Sequence, residues 1–73
     1  MSTQIGLVEG NREDYLDLLM LADPEEAVVR AYLGQGWLFA LYEEAELAGV
    51  MLLLEHDPQT LEVKNIAVSE QAQ

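Results

Sequence analysis

Proton transfer near neutral pH calls for a histidine or a well-placed carboxylate, and this sequence offers few candidates. His56 is the single histidine, and its ordinary pKa suits acid–base work. It stands in "EHDPQ", where Asp57-Pro58 turns the chain, so it reads as a surface residue. Glu55, His56 and Asp57 make a poor metal site, because adjacent residues on a turn do not converge on one ion. Glu62 lies in an alternating stretch. A period of two puts Glu62, Lys64, Ile66 and Val68 on one face unless a bulge intervenes. Taken alone, Glu62 is then a solvated strand residue paired with Lys64. Tyr15, Tyr32 and Trp37 could line a pocket. Helical spacing makes the two tyrosines better core residues with hydroxyls at the rim, and Trp37 opens a buried strand. The acids of Asp23–Glu26 could attract a cation, yet helix capping accounts for them.

The elements that must position these groups follow from the pattern. Gln4 to Val8 reads as a first strand ending at Glu9-Gly10. Asn11 suits a helix N-cap, and Glu13 and Asp14 favour the positive end of the helix dipole. Tyr15, Leu18, Leu19 and Ala22 fall at i, i+3, i+4 and i+7, and Leu16, Met20 and Leu21 widen that stripe. Asp23 precedes a proline and breaks the helix. Asp23, Pro24 and Glu26 then form a capping box for a second helix with Ala27, Val28, Ala31 and Tyr32 on its apolar face. Gly34 or Gly36 can end it in a left-handed conformation.

From Trp37 the period changes. "WLFALY" is apolar throughout, as expected of an interior strand covered on both faces. "EEAE" lacks the glycine of a two-residue hairpin and predicts a loop nearer four residues. "LAGVMLLLE" is the next strand, with Gly49 marking a bulge or a close approach. "TLEVKNIAV", Thr60–Val68, is the last. The order is β-α-α-β-β-β, the class is α+β, and the last three strands form an antiparallel meander.

Composition sets further bounds. The chain has 73 residues and no cysteine, so it is at most one domain and has neither disulfides nor thiol chemistry. A chain of this size buries only about 60% of its unfolded surface and is marginal without help. Half of it is apolar, which argues for a packed core despite a net charge of −11. Three basic residues, Arg12, Arg30 and Lys64, face 14 acidic ones. That balance excludes a nucleic-acid groove. It leaves attraction of cationic amines open, although solubility explains it as well. No apolar run reaches the roughly 18 residues of a membrane span. "MSTQIGLVEG" carries no signal-peptide pattern, so a cytoplasmic protein is expected.

The element order, together with "EVKNIAVSEQAQ" at the end, resembles the N-terminal half of the GCN5-related N-acetyltransferase (GNAT) family. Its fourth strand commonly reads like "NIAV" and leads into a Gln/Arg-x-x-Gly-x-Gly/Ala loop. The resemblance implies a single partial domain over 1–73, a mixed or antiparallel sheet, and acetyl-CoA as co-substrate. It implies that main-chain groups at Ile66, Ala67 and Val68 pair with the amide arm of the cofactor. The side chains of Ile66 and Val68 are expected in the core. Gln73 falls where the pyrophosphate-binding loop begins, so the chain looks cut before the loop's glycines. Glu62 matches the general base of the histone-acetylating branch, and Tyr15, Tyr32 and Trp37 fall on the acceptor side. The resemblance thus implies the N-terminal part of an N-acetyltransferase with an amine acceptor, inactive or nearly so by itself, with acetyl-CoA binding weak or absent. The rival expectation is a non-catalytic module that forms a homodimer by pairing through an exposed fourth strand.

Overall fold

The structure, a computed structural model, describes residues 2–69. Four strands form one antiparallel sheet in the order β1-β2-β3-β4: β1 Thr3–Leu7, β2 Trp37–Glu43, β3 Glu46–Asp57 and β4 Thr60–Val68. A 3-10 turn, Arg12–Tyr15, leads into α1, Leu16–Ala22, and α2 spans Glu26–Leu33. Both helices pack on the same face of the sheet. Leu16, Leu19, Val29, Tyr32 and Leu33 from the helices meet Leu38, Val50, Leu52 and Ala67 from the strands.

Asn11 caps the first turn as its type suggests, accepting a bond from the Glu13 N–H at 3.0 Å. Leu16 and Leu19 take the deepest positions of α1, whereas Leu21 is exposed. The second helix departs from expectation. Glu25 is its N-cap and makes no side-chain cap, while Asp23 accepts from the Glu25 N–H one residue earlier. Its buried residues are Val29, Tyr32 and Leu33, and Ala27, Val28 and Ala31 face solvent. Two stripes at helical spacing share this short helix, and the one with the bulkier side chains buries more area against α1 and the sheet.

Gly36 supplies the left-handed residue after α2, with φ of 60°. A Cβ there would lie 1.9 Å from the Leu53 carbonyl oxygen, so only glycine fits. Arg12 fastens the same loop. Its guanidinium donates to the carbonyls of Leu33, Gln35 and Gly36 at 2.9, 2.6 and 2.8 Å.

The β2–β3 connection is a two-residue turn rather than a longer loop. Glu44 and Ala45 take φ of 52° and 68°, the conformation that matches strand twist and normally calls for Asn-Gly. Gly49 is a close-approach point, because a Cβ there would meet the Ala67 carbonyl oxygen at 3.0 Å. Beside it the register slips: Leu41 pairs with Gly49 and Tyr42 with Leu47.

The expectation that β2 is covered on both faces is overturned. Leu38 and Ala40 are buried under the helices, while Trp37, on the opposite face, is 40% exposed. Phe39, Leu41 and Met51 line an apolar groove on that open face, together with Ile5, Ile66 and Val68. Ile66 and Val68 are therefore not core side chains of this chain, and Ile66 is 61% exposed. An unbroken apolar run needs two covering layers, and residues 2–69 contain helices for one.

Candidate functional site

β4 borders β3 and no other strand among the described residues. The Ser69 N–H donates to the Ala48 carbonyl at 2.7 Å. Antiparallel pairs alternate between bonded and non-bonded positions. With Ala67 opposite Val50 and Ile66 opposite Met51, that alternation turns the N–H and C=O of Ile66 away from β3, toward the open edge. Asn65 and Ala67 point their side chains into the core, and Ile66 points to the apolar groove.

A bulge interrupts the strand just before this point. Leu52 pairs with Asn65 but Leu53 with Val63, so Lys64 is an extra residue. Glu62, opposite Leu54, therefore stands on the helix side of the sheet and not with Ile66 and Val68. Lys64 does not pair with Glu62 across the strand face. Its ammonium lies 5.4 Å from the centroid of the Tyr32 ring.

A second bulge lies across the hairpin. Glu55 pairs with Leu61 and Asp57 with Thr60, which leaves His56 as the extra residue of β3. Bulges re-aim side chains and are frequent beside functional sites. Here the result is a 2.7 Å contact between His56 Nε2 and Glu62 Oε1. The two acid–base candidates, separate in the sequence argument, are hydrogen-bonded partners at the surface. The hairpin turn that brings them together is held by Asp57, whose carboxylate accepts from the Gln59 N–H at 2.8 Å.

Behind this edge lies a buried polar group that the sequence argument did not single out. Asn65 is buried. Its amide donates to the Leu19 carbonyl at 3.0 Å and to the Tyr32 hydroxyl at 2.7 Å. The Tyr32 hydroxyl in turn donates to Asp23 at 3.5 Å. Tyr32 is thus committed to the core network. The signal available in sequence was one asparagine inside a strand, where a polar side chain must be solvated or satisfied.

Tyr15 sits elsewhere. Its hydroxyl is 3.1 Å from that of Tyr42, and both line a depression with Val8, Glu9, Asn11 and Asp14. The hydrogen bond to Tyr42, then burial, raises the Tyr15 pKa above the ordinary tyrosine value. Gln73 lies outside the described residues. Among the described residues no three His, Asp or Glu side chains converge as a metal site, and no helix is long and apolar enough to cross a membrane.

Comparison with known proteins relates this helix-backed antiparallel sheet to the first half of an acetyltransferase fold. The chain is 44% identical over 70 residues to the uncharacterized N-acetyltransferase YvbK of Bacillus subtilis, a match that takes in 96% of this chain and 45% of that protein. It superposes on the crystal structure of a B. subtilis acetyltransferase in complex with CoA with a TM-score of 0.84 and 43% identity, covering 99% of this chain and 47% of that one. A GNAT-family acetyltransferase from Elizabethkingia anophelis with acetyl-CoA bound gives a TM-score of 0.83 and 38% identity, over 97% of this chain and 46% of that chain. No protein-family model matches the chain. Over nearly its whole length the chain matches the N-terminal half of the GNAT acetyltransferase fold. It spans about half the length of the relatives it matches.

Proposed function

We propose that this chain forms the cofactor-pairing half of an N-acetyltransferase that moves an acetyl group from acetyl-CoA to an amine. The carrying observation is the bulged edge strand β4, with the Ile66 main-chain groups turned to an open edge beside an apolar groove. An extended amide chain can pair with such an edge as an added strand does. The arrangement fits the amide arm of CoA, and two of the solved relatives contain CoA or acetyl-CoA.

In this reading Ile66 offers main-chain pairing, and Ala67, opposite Val50, keeps the strand in register. When bound, acetyl-CoA supplies an activated acetyl thioester. Glu62 would accept the proton that the amine loses, directly or through a water, as the nitrogen–acetyl bond forms and the acetyl–sulfur bond breaks to release CoA as its thiolate. His56, at 2.7 Å, orients that carboxylate. The rival reading, a module that pairs through β4, rests on the same open edge, and the matches to acetyltransferases favour the enzyme.

Joining residues 1–69 of this chain to the remaining part of YvbK tests the proposal. The chimera should acetylate amines in an acetyl-CoA-dependent way. Glu62→Gln should lower kcat by about a hundredfold or more. A chimera that unfolds cooperatively but gives no heat with acetyl-CoA in calorimetry overturns it.

A further inference from the structure

β4 has two ways to pair with β3, and the one it adopts is not the one that buries most apolar surface. Before the bulge, Glu62 lies opposite Leu54 and Val63 opposite Leu53. Carried on without the bulge, that regular register would set Lys64 opposite Leu52, Ile66 opposite Val50 and Val68 opposite Ala48. These three β3 residues are buried. The regular register would therefore bury Ile66 and Val68 and turn Asn65 and Ala67 to the open face. The bulge does the reverse. Asn65 and Ala67 take the core positions, and Ile66 is left exposed.

Hydrophobic burial alone favours the regular register, so something stronger opposes it. We propose that Lys64 is a positioning residue: its charge bars it from the slot opposite Leu52, forces the bulge and so turns the Ile66 amide to the open edge. Leu52 is wholly buried, in a core with Leu19, Val29 and Leu38. Taking an ammonium out of water there costs more than two apolar side chains contribute. In the bulged register Lys64 stays exposed, with its ammonium over the Tyr32 ring. Asn65 suits the slot instead, because its amide finds the Leu19 carbonyl and the Tyr32 hydroxyl. Main-chain direction follows register. Ala67 faces Val50 and shares its bonds, while Ile66 turns outward. In the regular register Ile66 would take those inward bonds, and Asn65 and Ala67 would face the edge. This role rests on the N-acetyltransferase reading, in which the Ile66 amide pairs with the cofactor.

Amide exchange of the 73-residue chain, followed by NMR, reads the register residue by residue. In the parent the Ala67 N–H should be protected and the Ile66 N–H open, with Met51 Hα against Ile66 Hα. Lys64→Leu should invert the pattern: Ile66 protected, Ala67 open, and Met51 Hα against Asn65 Hα. Combining Lys64→Leu with Asn65→Lys moves the charge one residue along and should invert it too, which serves where the single variant does not fold. Lys64→Glu should keep the parent pattern, because a carboxylate is barred from the core as an ammonium is. That variant separates the register from the contact with Tyr32. Either leucine variant, folded and with the parent pattern, overturns the proposal, and so does inversion by Lys64→Glu. No acetyl-CoA enters this measurement, so it fails or holds apart from the enzyme reading. In the chimera, Lys64→Leu should weaken acetyl-CoA binding by about tenfold or more, as expected for two lost main-chain bonds. Unchanged binding by an inverted strand removes the positioning role. A parent chimera that gives no heat with acetyl-CoA removes the enzyme reading and leaves the register as measured.

Discussion

The hydroxyls of Tyr15 and Tyr42 share one hydrogen bond of 3.1 Å, and ionising Tyr15 would break it or place charge beside its partner. The folded state therefore favours the protonated phenol, and the Tyr15 pKa rises. The stabilisation is present in full below the unfolded-chain tyrosine pKa and is lost as pH climbs through the higher folded value. Tyr42→Phe should bring the Tyr15 titration, followed by ultraviolet absorbance, back toward the ordinary value. Asn65 poses a balance of a different kind. Its amide makes two bonds, but its Oδ1 has no protein partner. The Leu19 carbonyl also accepts from the Asp23 N–H at 3.2 Å, and Tyr32 still reaches Asp23. Asn65→Leu removes two bonds worth about 1 kcal/mol each and also an unpartnered buried acceptor worth about 1–3 kcal/mol. It should change stability by less than about 1 kcal/mol. Asn65→Asp buries a charge with no cationic partner and should cost about 3 kcal/mol or more. Urea unfolding of the two variants measures the difference.

At the scale of the elements, the loop between α2 and β2 carries the heaviest constraint. Gly36 has positive φ and no room for a Cβ beside the Leu53 carbonyl. Gly36→Ala must move backbone, which a flexible neighbour cannot relieve, and a loss of about 3 kcal/mol or more is expected in the same urea assay. The β2–β3 turn is the reverse case. Ala45 holds φ of 68° with a side chain that disfavours it by roughly 1–2 kcal/mol. Ala45→Gly relieves that cost and gives back part of it as chain entropy. The variant should be more stable by about 0.5–1 kcal/mol, and a destabilised variant would show that the turn is not left-handed.

Across the whole molecule, the asymmetry between the two sheet faces dominates. One face has helices and a core. The other presents Ile5, Phe39, Leu41, Met51, Ile66 and Val68 in one groove, a patch of the kind that marks a binding surface. Ile66→Lys replaces a side chain that is 61% exposed. It should leave the unfolding midpoint nearly unchanged while lowering the fluorescence of an apolar dye bound to the chain. A sharp loss of stability would mean that the groove is closed in solution. Much of this molecule was legible in the order of its residues. Period-two and period-3.6 spacing marked the strands and helices, Asn11 and Asp57-Pro58 marked a cap and a turn, and "NIAV" pointed to the family, because these signals are local. The face that α2 buries, the left-handed Glu44–Ala45 turn, the exposure of Trp37 and the bulges at Lys64 and His56 were decided only by the assembled sheet. Each depends on which partner strand or helix lies alongside, and a one-residue slip in a ladder moves a side chain to the other face. That slip separates Glu62 from Ile66 and brings it to His56, a pairing that residues six apart in sequence do not announce.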